Sequence, residues 1–155
     1  MYDGDRWADY RREGKVFIAT HNVQIIEVNA ISDVLIRVPD ASSISALIQS
    51  EVMDYVNFSI YENSTIASVG TQIIPRNMNR SYSDEIDVLF SHTPTISELG
   101  TRFYDEFSLA WLGYFNDGTG VWELKNGNNY LIRAQNISND EGYLNWRIAF
   151  RKITT

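Results

Sequence analysis

A chain of 155 residues with 44% apolar, 21% charged and 13% aromatic residues has the arithmetic of one globular domain. It contains no cysteine, which excludes a disulfide-built scaffold, a cysteine-ligated zinc module and a thiol enzyme. Thirteen basic against 20 acidic residues leave a net charge of −7, which repels phosphate backbones and argues against nucleic acid as a partner.

Residues 1–14 mix charges with aromatics: Tyr2, Asp3, Asp5, Arg6, Trp7, Asp9, Tyr10, Arg11, Arg12 and Glu13. They lack the apolar run of a signal peptide, and nowhere does the chain run apolar for the roughly 20 residues a transmembrane helix needs. The expectation is a protein made and folded in a cytoplasm, with no membrane partner. The segment reads as an extended N-terminal arm ahead of a single domain over residues 15–155. Tyr2, Trp7 and Tyr10 could anchor on a neighbouring molecule, with Arg6, Arg11 and Arg12 pairing acidic groups there.

From residue 15 onward, period-two alternation dominates. Strands are expected over Lys15–His21 and Val23–Val28, with a bend near Asn22. Asp33–Val38 follows, with Val34, Ile36 and Val38 inward. Ser43–Met53 has some helical spacing (Ile44, Leu47, Ile48, Val52) but is read as a strand. In Asp54–Tyr61 the inward set is Val56, Phe58 and Ile60. Ile86, Val88 and Phe90 form a further set, whereas the spacing of Phe103, Phe107 and Trp111 leaves their segment open between helix and strand. Val121–Lys125 is expected to form a hairpin with Tyr130–Asn136 through Asn126-Gly127-Asn128-Asn129, since Asn-Gly suits tight turns. Tyr143–Arg151 places Leu144, Trp146, Ile148 and Phe150 on one face, opposite Asn145, Arg147 and Arg151. Roughly nine short strands at this spacing predict an all-β fold, a single antiparallel β-sandwich.

One echo runs through the middle of the chain. Thr65-Ile66-Ala67-Ser68-Val69-Gly70-Thr71 resembles Thr95-Ile96-Ser97-Glu98-Leu99-Gly100-Thr101, about thirty residues later. The simplest reading is one turn geometry used twice, with each glycine at a positive φ.

The chemistry-bearing residues gather into no catalytic pattern. His21 and His92 have no metal-ligand spacing, so structural roles and no metal are expected. No nucleophile elbow, Walker loop or dinucleotide loop occurs, and no cofactor is implied. Glu62, Asp84, Glu85, Asp87, Asp105, Glu106 and Glu123 could serve a two-carboxylate glycosidase, but acidic residues of such a domain belong mostly to its solvated surface. Trp111, Tyr114, Phe115 and Trp122 crowd the loop Asn116–Gly120, where aromatics could stack on a sugar. Core packing of Trp122 and Phe115 is the favoured reading. No enzyme is expected.

A family resemblance enters in the C-terminal third. Val121-Trp122-Glu123-Leu124-Lys125-Asn126, then Asn129-Tyr130-Leu131-Ile132-Arg133 and Asn136, resembles a run found in small tailed-phage virion proteins. Leu144–Phe150 takes the place of their closing aromatic strand. Upstream, Phe58–Asn63, Val69-Gly70-Thr71 and Asn77-Met78-Asn79-Arg80 resemble a second block, and Ser91-His92-Thr93-Pro94-Thr95-Ile96 with Gly100-Thr101 a third. Trp122 precedes Glu123 here, the reverse of the usual order, and the glycine-rich loop before that strand is short. The resemblance covers about residues 15–151. It implies a jelly-roll-like, non-enzymatic structural protein of a bacteriophage virion, decorating or cementing the capsid. The major capsid protein would then be its partner, and the virion, assembled in the bacterial cytoplasm, its location. The alternative is a receptor- or carbohydrate-binding module of a tail fibre or baseplate. A homotrimer is expected, since closed rings suit threefold positions and the chain has surplus Tyr and Trp for an interface.

Overall fold

Alternating apolar positions need a partner surface for one face of each strand, and two sheets packed face to face supply it. In a computed structural model of the chain, residues 3–52, 55–108 and 122–153 are described. They form one helix, α1 (Asp3–Arg12), and thirteen strands. The strands are β1 (Val16–Ile26), β2 (Ile31–Arg37), β3 (Ser43–Val52), β4 (Val56–Glu62), β5 (Thr65–Ser68), β6 (Thr71–Ile73) and β7 (Arg76–Asn77). They continue as β8 (Leu89–His92), β9 (Thr95–Glu98), β10 (Thr101–Ser108), β11 (Trp122–Leu124), β12 (Asn129–Asn136) and β13 (Gly142–Ile153).

One sheet has the order β11-β3-β13-β1-β7, the other β10-β4-β12-β2-β8-β6, and β5 pairs with β9 separately. We call the first two sheets A and B. The first four and last four strands alternate between them, as in a jelly roll, and every pairing is antiparallel.

The expected core is where the alternation puts it. Val56, Phe58, Ile60, Trp146, Ile148 and Phe150 are all buried, and Phe58 meets Trp146 edge to face at 5.6 Å. The indole N–H of Trp146 donates to Ser32 Oγ at 3.1 Å, so the ring is buried without an orphaned donor.

Several expectations are corrected. There are more than nine strands, because β5, β6, β7 and β9 are too short for alternation to register. The bend near Asn22 is instead a bulge between Val23 and Ile26 within the single strand β1. Residues 84–88 form no strand, although Ile86 and Val88 reach the core. The segment left open is the strand β10. Its pairing with β4 shifts register between Arg102 and Tyr104, which sets Phe103 apart at 42% exposure.

The hairpin does not exist. β11 pairs with β3 in sheet A, and β12 with β2 and β4 in sheet B, so the Asn126–Asn129 turn crosses between sheets. It is held by the Gly127 N–H, which donates to the carbonyls of Val38 and Pro39.

The N-terminal arm is helical, not extended. Trp7, Tyr10 and Arg11 fall on one helical face, and Arg11 and Arg12 in the last turn suit the helix dipole. The helix ends in a Schellman turn. The Gly14 N–H donates to Arg11 O at 3.2 Å and the Lys15 N–H to Tyr10 O at 2.8 Å. Gly14 has φ 70, and a Cβ there would run into the Tyr82 ring.

The echo segments pair with each other, β5 with β9. Only half of the expected turn geometry holds: Gly70 has φ 78, but Gly100 is not left-handed. Gly100 is required instead by close approach, since a Cβ would meet the Glu62 carbonyl oxygen. The shared left-handed positions are Asn63 (φ 58) and Thr93 (φ 56). Asn tolerates that conformation, but for a β-branched residue such as Thr93 it is strained.

Candidate functional site

The outward faces of β1, β13 and β3 line up in rows across sheet A. Ile18, Ala149 and Leu47 form an apolar row, flanked on one side by Thr20, Arg147 and Gln49 and on the other by Val16, Arg151 and Ser45. α1 lies beside these rows. The Arg151 guanidinium sits 4.3 Å from the centre of the Tyr10 ring, a cation–π contact that ties the helix to β13.

Between helix and sheet runs a groove of about 560 Å³. Trp7, Ala8 and Arg11 form its helical wall, the apolar row its floor, and Arg147 and Gln49 part of its rim. Arg12 is engaged by Asp9 at 3.2 Å. By contrast, Arg11 and Arg147 are exposed and have no ion pair among the described residues.

Two asparagines fix the helix in this position. Asn77 Nδ2 donates to Gly14 O at 2.8 Å, and Asn79 Nδ2 to Arg12 O at 2.7 Å. Their side-chain oxygens accept from the Asn79 and Ser81 N–H groups, folding the segment into successive Asx turns. Of the arm residues expected to anchor on a neighbour, Trp7 and Arg11 line the groove, Tyr10 lies under Arg151 and Arg12 pairs within the helix. Tyr2 lies outside the described residues. Sequence reasoning missed Arg147, Gln49, Leu47 and Ala149 as neighbours of these side chains. The signal was present in β13, whose outward set Asn145, Arg147 and Arg151 is plain from the alternation.

A second cluster sits at one end of the sandwich. Glu62 Oε1 accepts from Tyr130 Oη at 3.0 Å and Asn128 Nδ2 at 3.1 Å, with Lys125 Nζ at 3.3 Å. Burial pushes the Glu62 carboxyl up, but these hydrogen bonds outweigh it and hold it below the usual range. The Tyr130 hydroxyl is pushed up by burial and by its bond to the carboxylate. Beside this node Trp122 meets Phe103 and Tyr104 edge to face at 5.6 and 5.1 Å, and it packs on the core, as the favoured reading of that ring has it. Trp111, Tyr114, Phe115 and the Asn116–Gly120 loop lie outside the described residues. Among the other candidate carboxylates, Asp105 accepts from Asn57 and Ser59, both at 2.9 Å. Asp84, Glu85, Asp87 and Glu123 are exposed.

The two histidines, far apart in sequence, stack with ring centroids 3.7 Å apart and planes within 11°. His21 belongs to sheet A and His92 to sheet B, so the stack bridges the sheets at their edge. Burial, and then the neighbouring His92, push His21 below the usual histidine range. Among the described residues no group of three or more His, Asp or Glu side chains could hold a metal ion.

No family model and no curated protein matches the chain. Among solved structures, two likenesses are remote. The carbohydrate-binding module TmCBM61, solved with β-1,4-galactotriose, is 7% identical with a TM-score of 0.31, over 90% of this chain and 92% of that one. The K3 cleaved adhesin domain of the Porphyromonas gingivalis Lys-gingipain is 10% identical with a TM-score of 0.28, over 73% and 56%. Likenesses this remote carry no argument about what the chain does.

Proposed function

We propose that this chain is a non-enzymatic virion protein of a tailed phage that binds and stabilises the capsid shell as a decoration or cement protein. The observation that carries the reading is what the residues of the phage resemblance do in the folded chain. Glu62, Asn128 and Tyr130 bind one another, Asn129 Nδ2 donates to Ser64 O, and Asn77 and Asn79 clamp the end of α1. Each of them has a polar group engaged in holding loops and strands together, although Asn129 Oδ1 is buried without a partner among the described residues. Such residues specify a shape, which is what a protein that works by fitting a surface requires. A molecule that binds assembled subunits and not separated ones stabilises the shell by mass action, and a trimer multiplies a weak contact through effective concentration.

Co-sedimentation with purified genome-free shells tests this. Saturable binding that raises the temperature of shell disruption, with no turnover on peptidoglycan, polysaccharide or ester panels, is the expected result. Binding to isolated tails or to polysaccharide, and not to shells, would favour a receptor- or carbohydrate-binding module instead. The half-exposed Phe103 beside Trp122 and the Glu62 node is the observation that supports that second reading.

A further inference from the structure

We infer that the groove between α1 and sheet A binds an extended, acidic segment of the partner protein, with alternate aliphatic side chains on the floor and carboxylates at Arg11 and Arg147. The inference rests on the reading of the chain as a surface-binding protein and names the partner's chemistry.

The floor is apolar: Ile18, Ala149 and Leu47, with Val16 and Met78 alongside. Burying an aliphatic side chain there removes apolar surface from water, which favours binding. The rim is basic in a chain whose net charge is −7. Nearby cations are already occupied, Arg12 by Asp9 and Arg151 by the Tyr10 ring. Arg11 and Arg147 are the pair left over, on opposite sides of one apolar strip. The residues directly opposite Arg147 on the paired strands, Thr20 and Gln49, carry no carboxylate, and none of the side chains lining the groove does. Guanidinium forks bind carboxylates in bidentate fashion, so two of them across an apolar strip select acids over amides and cations.

Shape and lining select the conformation. A helix wraps its side chains around a cylinder about 10 Å across and turns only one stripe of them to the groove. An extended strand uses the same space better, sending alternate side chains to floor and rim.

The test is a nitrogen-15 NMR titration of the full chain with a short capped peptide alternating glutamate and leucine. Peptides with lysine or glutamine in place of glutamate serve as controls. Expected are shifts confined to α1, β1, β3 and β13, binding that weakens with salt, and affinity lost about tenfold by Arg147→Glu and again by Arg11→Glu. Both side chains are exposed, and unchanged melting of the variants would confirm their folding. Equal binding of the lysine peptide, shifts on sheet B, or affinity indifferent to both substitutions would overturn the inference. So would a concentration-dependent dimer that Arg147→Glu abolishes, since the occupant would then be a second copy. Peptide binding without shell binding would sink the capsid reading and leave the groove. Shell binding indifferent to both substitutions would do the reverse.

Discussion

The two outer faces of the sandwich solve the same problem differently. On sheet B, Asp33 and Arg133 stand opposite each other on paired strands and form a double hydrogen bond, both at 2.8 Å. Next to them Asp105 is bonded by Asn57 and Ser59, and Leu35 and Leu131 pair in full burial outside the main core. On sheet A, Arg11 and Arg147 stand beside an apolar strip with no carboxylate paired to them among the described residues. A face whose charges are matched internally gains little from a partner, because binding must first strip water from groups already satisfied. A face that leaves donors and apolar surface side by side gains from both. In the function proposed above, sheet A is then the working face and sheet B a self-contained wall.

The largest perturbation removes what both faces rest on. Trp146→Ala should cost about 3–5 kcal/mol in denaturant unfolding, because a large ring leaves a cavity at the centre of the sandwich. A loss below about 1 kcal/mol would mean that the two sheets do not share this core.

The contrast itself is sharpened by a matched pair. Asp33→Asn leaves Arg133, 21% exposed, facing an amide, and should cost about 1–3 kcal/mol. Arg147→Gln on the other face should stay within about 0.5 kcal/mol, since no ion pair to a described residue is broken. Equal losses would erase the distinction between the two faces.

A smaller effect is expected where the helix meets its sheet. Tyr10→Leu removes a cation–π contact worth about 0.5–1 kcal/mol, so amide exchange in α1 should quicken roughly two- to fivefold while β12 is unaffected. No change would mean that Arg151 does not hold the helix.

The mildest prediction concerns pH at the edge joining the faces. His21 is pushed below the usual histidine range, so the unfolded chain takes up its proton at higher pH than the folded one. The stability tied to a neutral His21 is thus fully present above the unfolded value of about 6.5 and is lost as pH falls below it. Urea unfolding of the protein and of His21→Gln, compared from pH 8 to 5, should show the steeper decline in the unsubstituted chain.

Most of the sandwich was legible because alternation is a strong signal wherever one face is buried. It reads Val56-Phe58-Ile60 and Leu144-Trp146-Ile148-Phe150 correctly without any tertiary information. It fails where burial is two-sided: Leu35 and Leu131 are fully buried although they point away from the core. It fails again at turns. Asn126-Gly127 looks like a hairpin by local chemistry, yet sheet membership is decided by pairing partners remote in sequence. The helix was missed because its apolar face is only Trp7 and Tyr10, too little for a periodic signal, and the sheet beneath supplies the rest. The candidate site was half legible for the same reason. Its arm residues stand out by composition, whereas Leu47, Arg147 and Ala149 join them only through strand order.

The most direct test of the account is a cryo-electron microscopy reconstruction of purified particles carrying this protein. The account predicts many copies spread over the head, each with α1 and sheet A turned toward the shell and a partner segment in the groove. A few copies at the tail, or copies on the head with sheet A facing outward and the groove empty, would contradict it.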